Sequence, residues 1–121
     1  SAWPEAFGRI AAEALVNGVP PVVSDRGGLP EAAAGGGFVL PLPDDYMPKS
    51  EGPVPTDAVR RWRDTVIPLM EDDAEHARAS ARARAAGERF LPDAVRPQIL
   101  TFFARVCRLP GETVGPFAPS V

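Results

Sequence analysis

Residues 4–31 read PEAFGRIAAEALVNGVPPVVSDRGGLPE, and the punctuation of this stretch decides the architecture. Trp3-Pro4 disfavours helix at Trp3, so Ser1–Ala6 reads as an extended or turn segment. Phe7 to about Asn17 reads as a helix: Ile10 with Ala14, and Ala11 with Leu15, stand at i, i+4 spacing on one side. Asn17-Gly18 offers a left-handed stop, and Pro20-Pro21 blocks continuation. Val22-Val23-Ser24 is a short apolar, β-branched run and reads as a buried strand. Asp25-Arg26-Gly27-Gly28 follows as a loop, and Pro30 opens a short helical turn through Ala34.

Working outward, Gly35-Gly36-Gly37 ends that turn and Phe38-Val39-Leu40 reads as a second brief strand. Pro41 to Pro55 holds five prolines and reads as a long loop. Thr56 or Asp57 can cap the next helix. Its apolar stripe is Val59, Trp62, Val66, Leu69 and Met70, read as core, and Pro68 is expected to kink or restart it. Asp72–Phe90 reads as an Ala/Arg-rich helix with acids at the front and arginines at the back, matching the helix dipole. Pro92 to Arg108 reads as a final helix carrying Val95, Ile99, Phe102, Phe103 and Val106 on one face. Residues 109–121 read as a Pro/Gly-containing tail after a body spanning 1–108.

Two short strands cannot cover this much helix surface. Strands flanked by helices on this scale normally belong to a larger parallel sheet. The expected fold class is therefore α/β: part of a doubly wound, Rossmann-like domain, its rear half, helix-rich with two short parallel strands. The sheet neighbours are expected from another polypeptide, a second copy, or a longer chain, and the start just before Glu5 reads as a cut within such a chain.

Composition narrows the function. Lys+Arg number 13 against 16 Asp+Glu, a net charge of -3, which argues against nucleic acid as a partner. The single cysteine, Cys107, cannot form an internal disulfide. No apolar run approaches the length of a transmembrane helix, and the first residues lack the pattern of a signal peptide. A soluble, cytoplasmic domain is expected. The 15 prolines, far above the usual roughly 5%, are spread through turns without a repeat.

The stretch that decides the fold also holds the candidate chemistry. Glu5 precedes the first helix and Glu13 lies two turns in. Phe7, Gly8 and Arg9 are expected to present unpaired backbone N–H groups at the helix start, a ready site for phosphate or sugar oxygens. Gly8 removes a side chain where a ligand would approach the backbone. A carboxylate such as Glu13 can accept two hydrogen bonds from a vicinal diol, as on a ribose. Gly27-Gly28 follows the carboxyl end of a strand, where open α/β sheets bind ligands.

Taken in order, Glu5, Phe7-Gly8, Glu13, Val22-Val23 and Gly27-Gly28-Leu29-Pro30-Glu31 resemble the donor-binding signature of retaining glycosyltransferases of the GT-B fold, closest to glycosyltransferase family 4. A Trp-bearing helix, an Arg/Ala-rich helix ending in Glu88-Arg89-Phe90 and a last helix extend the similarity to about residue 108. The resemblance implies the rear half of a nucleotide-sugar-binding C-terminal domain. It gives Glu5 the catalytic role of holding the transferred sugar's hydroxyls, and Glu13 the nucleotide ribose. Amides of Phe7, Gly8 and Arg9 would meet the sugar and diphosphate, with Gly27 and Gly28 completing the donor site. The implied reaction moves a sugar from a nucleotide-diphosphate donor to an acceptor hydroxyl with retention, using no metal and no other cofactor. The family's diphosphate-neutralising Arg and Lys and its acceptor domain lie upstream of the matched stretch, so the chain alone is expected to be inactive. The alternative is a non-catalytic nucleotide-sugar-binding or oligomeric assembly module, with Phe102 and Phe103 in an apolar patch that drives dimerisation.

Other features carry plainer readings. Arg26, like Arg9, is a plausible neighbour of a diphosphate, but exposed arginines are common here and a solvated role is favoured for both. Glu31 suits the first turn of its own helix. His76 reads as a surface histidine and Cys107 as packed on the last helix, with no partner to make it a nucleophile. Arg78, Arg82, Arg84 and Arg89 read as a solvated face. Gly35-Gly36-Gly37 matches neither a Walker nor a Rossmann phosphate loop.

Overall fold

A computed structural model of the chain describes residues 4–43 and 56–107. The chain divides into two compact units between Phe90 and Leu91. The expected long loop 41–55 and the tail 109–121 lie almost wholly outside the described residues.

In the first unit the order is α1 (Arg9–Val16), β1 (Val22–Ser24), α2 (Leu29–Ala33), β2 (Phe38–Leu40), α3 (Thr56–Glu71), α4 (Asp73–Gly87) and a 3₁₀ turn (Glu88–Phe90). The strands pair in parallel, with Val22 opposite Phe38, Val23 opposite Val39 and Ser24 opposite Leu40. This is the helix-rich α/β arrangement with two short parallel strands expected from the sequence.

The expected first helix is shortened at its front. Gly8 takes φ +82°, a left-handed value that cannot belong to a right-handed helix, so α1 begins at Arg9 rather than Phe7. Its end follows the sequence. The Gly18 N–H donates to the Leu15 carbonyl at 2.9 Å and the Val19 N–H to the Ala14 carbonyl at 2.8 Å. With Gly18 at φ +71°, this is a Schellman closure. Pro30 sits in the first turn of α2, whose last residue is Ala33 rather than Ala34.

The core is built from small residues. Ala11, Val23, Leu29, Ala32 and Ala33 form one buried cluster between α1, β1 and α2. Leu15 is fully buried where α1 meets α4. On α4 the buried residues Ala79, Ala83 and Gly87 recur every fourth position, so one face of that helix is smooth enough for a close helix–helix approach. A Cβ on Gly87 would stand 2.6 Å from the Leu15 carbonyl oxygen. Ser80 Oγ, on the same helix, donates to the Gly18 carbonyl at 2.6 Å, and Arg84 Nη2 reaches the Asn17 carbonyl at 3.4 Å. Side chains of α4 thus satisfy carbonyls at the end of α1. Asp72 caps α4, its Oδ1 accepting from the Ala74 and Glu75 N–H groups at 2.8 and 3.0 Å. Bonds from the Glu75 and Ala74 amides hold this carboxyl below its ordinary range.

Two expectations change. α3 is continuous through Pro68. The proline falls in the last turn, where it removes one ladder bond, while the Asp72 N–H still reaches the Pro68 carbonyl at 3.0 Å. The stripe read as core on α3 is only partly covered: Trp62, Val66 and Leu69 are half-buried, Val59 and Met70 are exposed, and the buried residue of the helix is Ala58, outside the stripe. Two strands offer too little apolar sheet to bury a sixteen-residue helix face. The arginines of α4 and its 3₁₀ turn lie on the exposed face expected of them, and several also reach other elements. Arg78 pairs with Glu75 at 2.7 Å, the Arg82 guanidinium lies 5.0 Å over the Phe38 ring, and Arg84 and Arg89 bond carbonyls of other elements.

The second unit contains α5 (Pro92–Val106). Ile99, Leu100, Phe102, Phe103 and Val106 are all exposed. Cys107, expected to pack, is an exposed free thiol at the end of this helix. No helix of the described residues is long and apolar enough to cross a membrane.

Candidate functional site

Two segments some twenty residues apart meet at the carboxyl end of β1. The first is Pro4–Gly8, leading into α1, and the second is the loop Asp25–Gly28, leading into α2. The Gly28 N–H donates to the Glu5 carbonyl at 2.6 Å. Gly27, at φ +57°, packs its Cα against the backbone of Pro4 and Glu5, where a Cβ would stand 2.7 Å from the Glu5 nitrogen and closer still to the Glu5 oxygen. A Cβ on Gly28 would stand 2.7 Å from the Phe7 Cα and would strike the Ala6 carbonyl. Both glycines are therefore required by backbone-on-backbone contact.

The loop is also tied to the end of β2. The Asp25 N–H donates to the Leu40 carbonyl at 3.1 Å, and Asp25 Oδ1 accepts from the Leu42 N–H at 3.2 Å. Arg26 Nη2 donates to the Pro43 and Leu42 carbonyls at 2.8 and 3.2 Å. Arg26 is thus engaged in fastening the two strand exits together.

Gly8 completes the junction in a way that corrects the sequence reading. The side chain it lacks would point into the protein, 2.8 Å from Leu29 Cδ2 and 3.4 Å from the Ala32 Cβ. Its missing Cβ makes room for α2 rather than for a ligand. The N–H groups at the helix start also shift along the chain. Ala11 and Ala12 donate to the Gly8 carbonyl at 2.9 and 3.3 Å, so the amides ahead of the ladder inside the helix belong to Arg9 and Ile10, with Phe7 and Gly8 in the turn before it.

Glu5 is half-buried in this junction, and Phe7 is 44% exposed. Arg9 and Glu13 form a separate grouping on the outer face of α1. Arg9 Nε stands 3.3 Å from Glu13 Oε1, with the side chains 86% and 63% exposed. A pair this open, with the cation N-terminal to the anion, is weak, and both groups can turn to an incoming ligand. The structure therefore brings the backbone of Glu5 and Phe7 onto Gly27 and Gly28, packs Gly8 on α2, and sets Arg9 and Glu13 beside them on the adjoining helix.

Sequence reading set Arg89 and Phe90 at the end of the Arg/Ala-rich helix, with Arg89 on a solvated face, but assigned them no part in this junction. The Phe90 ring meets Phe7 edge to face at a centroid distance of 5.8 Å and 85°. Arg89 lies 4.5 Å over the Phe90 ring, and its Nη2 donates to the Glu31 and Ala32 carbonyls at 2.8 and 2.9 Å. The signal in the sequence was the change after Gly87, where Glu-Arg-Phe breaks the Ala/Arg pattern. Among the described residues no group of His, Cys, Asp and Glu could hold a metal ion. His76 is exposed on α4. Compared with known proteins, the chain matches no protein-family model, no curated protein and no solved structure.

Proposed function

We infer that the chain is the rear half of the nucleotide-sugar-binding domain of a retaining glycosyltransferase of the GT-B type, similar to family 4, and that its part in the reaction is to hold the donor. The observation that carries this reading is the convergence of Glu5–Gly8 with Gly27–Gly28 at the carboxyl end of a parallel strand, the place where α/β sheets bind ligands. The same residues compose the ordered string that resembles the family's donor signature. In this reading Glu5 accepts hydrogen bonds from the sugar hydroxyls and Glu13 from the ribose, while amides of the Phe7–Arg9 turn face the diphosphate. The bond from the anomeric carbon to the diphosphate oxygen breaks, a bond to the acceptor oxygen forms on the same face, and the acceptor proton leaves. Stabilising the departing phosphate charge is a large part of such catalysis, and it falls to cations that the family carries upstream. Donor binding, not turnover, is therefore the property to test in this chain.

Amide NMR of the chain with uridine, guanosine and adenosine diphosphates and their sugars tests it. Shifts confined to Phe7–Glu13 and Gly27–Gly28 are expected, and a dispersed spectrum indifferent to every nucleotide overturns the reading. Glu13→Ala is expected to weaken binding about tenfold, the loss of a charged hydrogen-bond acceptor. A second reading, an assembly module, is favoured by the exposed apolar residues of α5. Light scattering distinguishes it, since that reading requires an oligomer.

A further inference from the structure

The 3₁₀ turn Glu88–Phe90 touches one half of the junction, at Phe7, and the helix α2 that follows the other half. Phe90 places its ring edge to face on Phe7, immediately before the left-handed Gly8. Arg89 bonds the carbonyls of Glu31 and Ala32 in α2, the helix that begins where Gly28 is bonded to Glu5. Arg89 also stacks on Phe90, so the two residues act as one piece. The Phe7 turn is therefore gripped twice: through its backbone by Gly27-Gly28, and through its side chain by Phe90. The second grip matters because Phe7 is 44% exposed, and a side chain with no partner there would be free to swing with the turn. Edge-to-face pairs at this separation have a defined geometry and an attraction beyond their buried area.

We propose that Phe90 is a positioning residue of the donor site: its ring fixes Phe7 and, through Phe7, the Gly8 turn that sets the first amides of α1, with Arg89 locking Phe90 to α2. This rests on the functional reading above for its purpose but not for its geometry. Phe90 itself touches no substrate in this scheme. It narrows the positions open to the turn before a ligand arrives, which is how a supporting residue raises affinity.

The test uses the full chain with Phe90→Leu and Phe90→Tyr. Without ligand, amide exchange is followed at Gly28, bonded to Glu5, and at Ala11, bonded to Gly8, together with the Phe7 ring proton shifts. Phe90→Leu is expected to speed exchange at both amides about tenfold, the scale of one lost aromatic pair, and to remove the ring-current shift on Phe7. Phe90→Tyr restores both. Phe38, bonded to Pro21, is the reference amide and keeps its rate. Unchanged exchange at Gly28 and Ala11 overturns the proposal, and so does equal acceleration at Phe38, which would make Phe90 ordinary core. Should Phe90→Leu fail to fold, Arg89→Lys, which retains the charge but loses the two-carbonyl grip, is read the same way. Binding of uridine, guanosine and adenosine diphosphates is then compared across the variants: a wild-type chain that binds none of the three overturns the glycosyltransferase reading, while the exchange data still decide whether Phe90 fixes the Phe7 turn. A wild type that binds, with Phe90→Leu about tenfold weaker and Phe90→Tyr restored, supports both.

Discussion

α4 and α5 are helices of equal length, 15 residues each, with opposite fates for their apolar side chains. α4 buries Ala79 and Ala83 completely and brings Gly87 onto the backbone of Leu15. α5 carries far larger apolar groups, yet Phe102 and Phe103 are 56% and 54% exposed. Hydrophobicity alone ranks the two helices the wrong way round. What buries α4 is shape: small residues every fourth position make a smooth face, and a polar residue on the same helix, Ser80, bonds the end of α1.

The largest expected effect breaks the smooth face. Gly87→Ala puts a methyl group against the Leu15 carbonyl, where backbone cannot yield as a flexible side chain would, and should cost about 3 kcal/mol, the upper range for overpacking. Urea unfolding followed by circular dichroism measures it, and an unchanged midpoint would mean that α1 and α4 are not in such close contact. Gly28→Ala follows, at about 2 kcal/mol by the same overpacking, with loss of any nucleotide diphosphate binding as the Ala6 carbonyl is pushed off the loop. Phe102→Ser with Phe103→Ser tests the other side of the comparison. Exposed positions of this kind change stability by about 0.5 kcal/mol or less, so the first unit's unfolding should stay as it is. Any oligomer seen by light scattering should dissociate if α5 is what holds it.

The smallest effect concerns the cap of α4. The folded Asp72 carboxyl titrates below its ordinary value of 3.8, so its contribution is complete above that value and is lost as pH falls through the lowered one. Helix content followed from about pH 5 to about pH 2 should fall by less in Asp72→Ala than in the wild type, because the variant has no cap left to protonate.

Much of the element order was legible because its signals are local. Asn17-Gly18 stops α1 through a left-handed residue and two bonds to its own last turn. Asp72 caps α4 through amides two and three residues on. Val22–Ser24 and Phe38–Leu40 read as strands and are strands. The candidate site was legible as a list of residues, but the use of its glycines was not. Gly8 looked like room for a ligand and is room for Leu29. Arg26 looked solvated and bonds the exit of β2. The partners in both cases are about twenty residues away, beyond the reach of a local pattern.

The sequence by itself therefore determined where most helices and strands begin and end, because capping, turn and proline effects act within a few residues. Only the tertiary structure decided which side chains are buried and which residues buttress the junction. Ser80 and Arg84 lie 62 and 67 positions from the carbonyls they bond, and Arg89 lies 58 from Glu31. The roles of Ser80 and Arg84 follow from α1 and α4 approaching closely enough to exclude larger side chains, and that of Arg89 from α2 lying beside the turn after α4, conditions that exist only once the chain has folded.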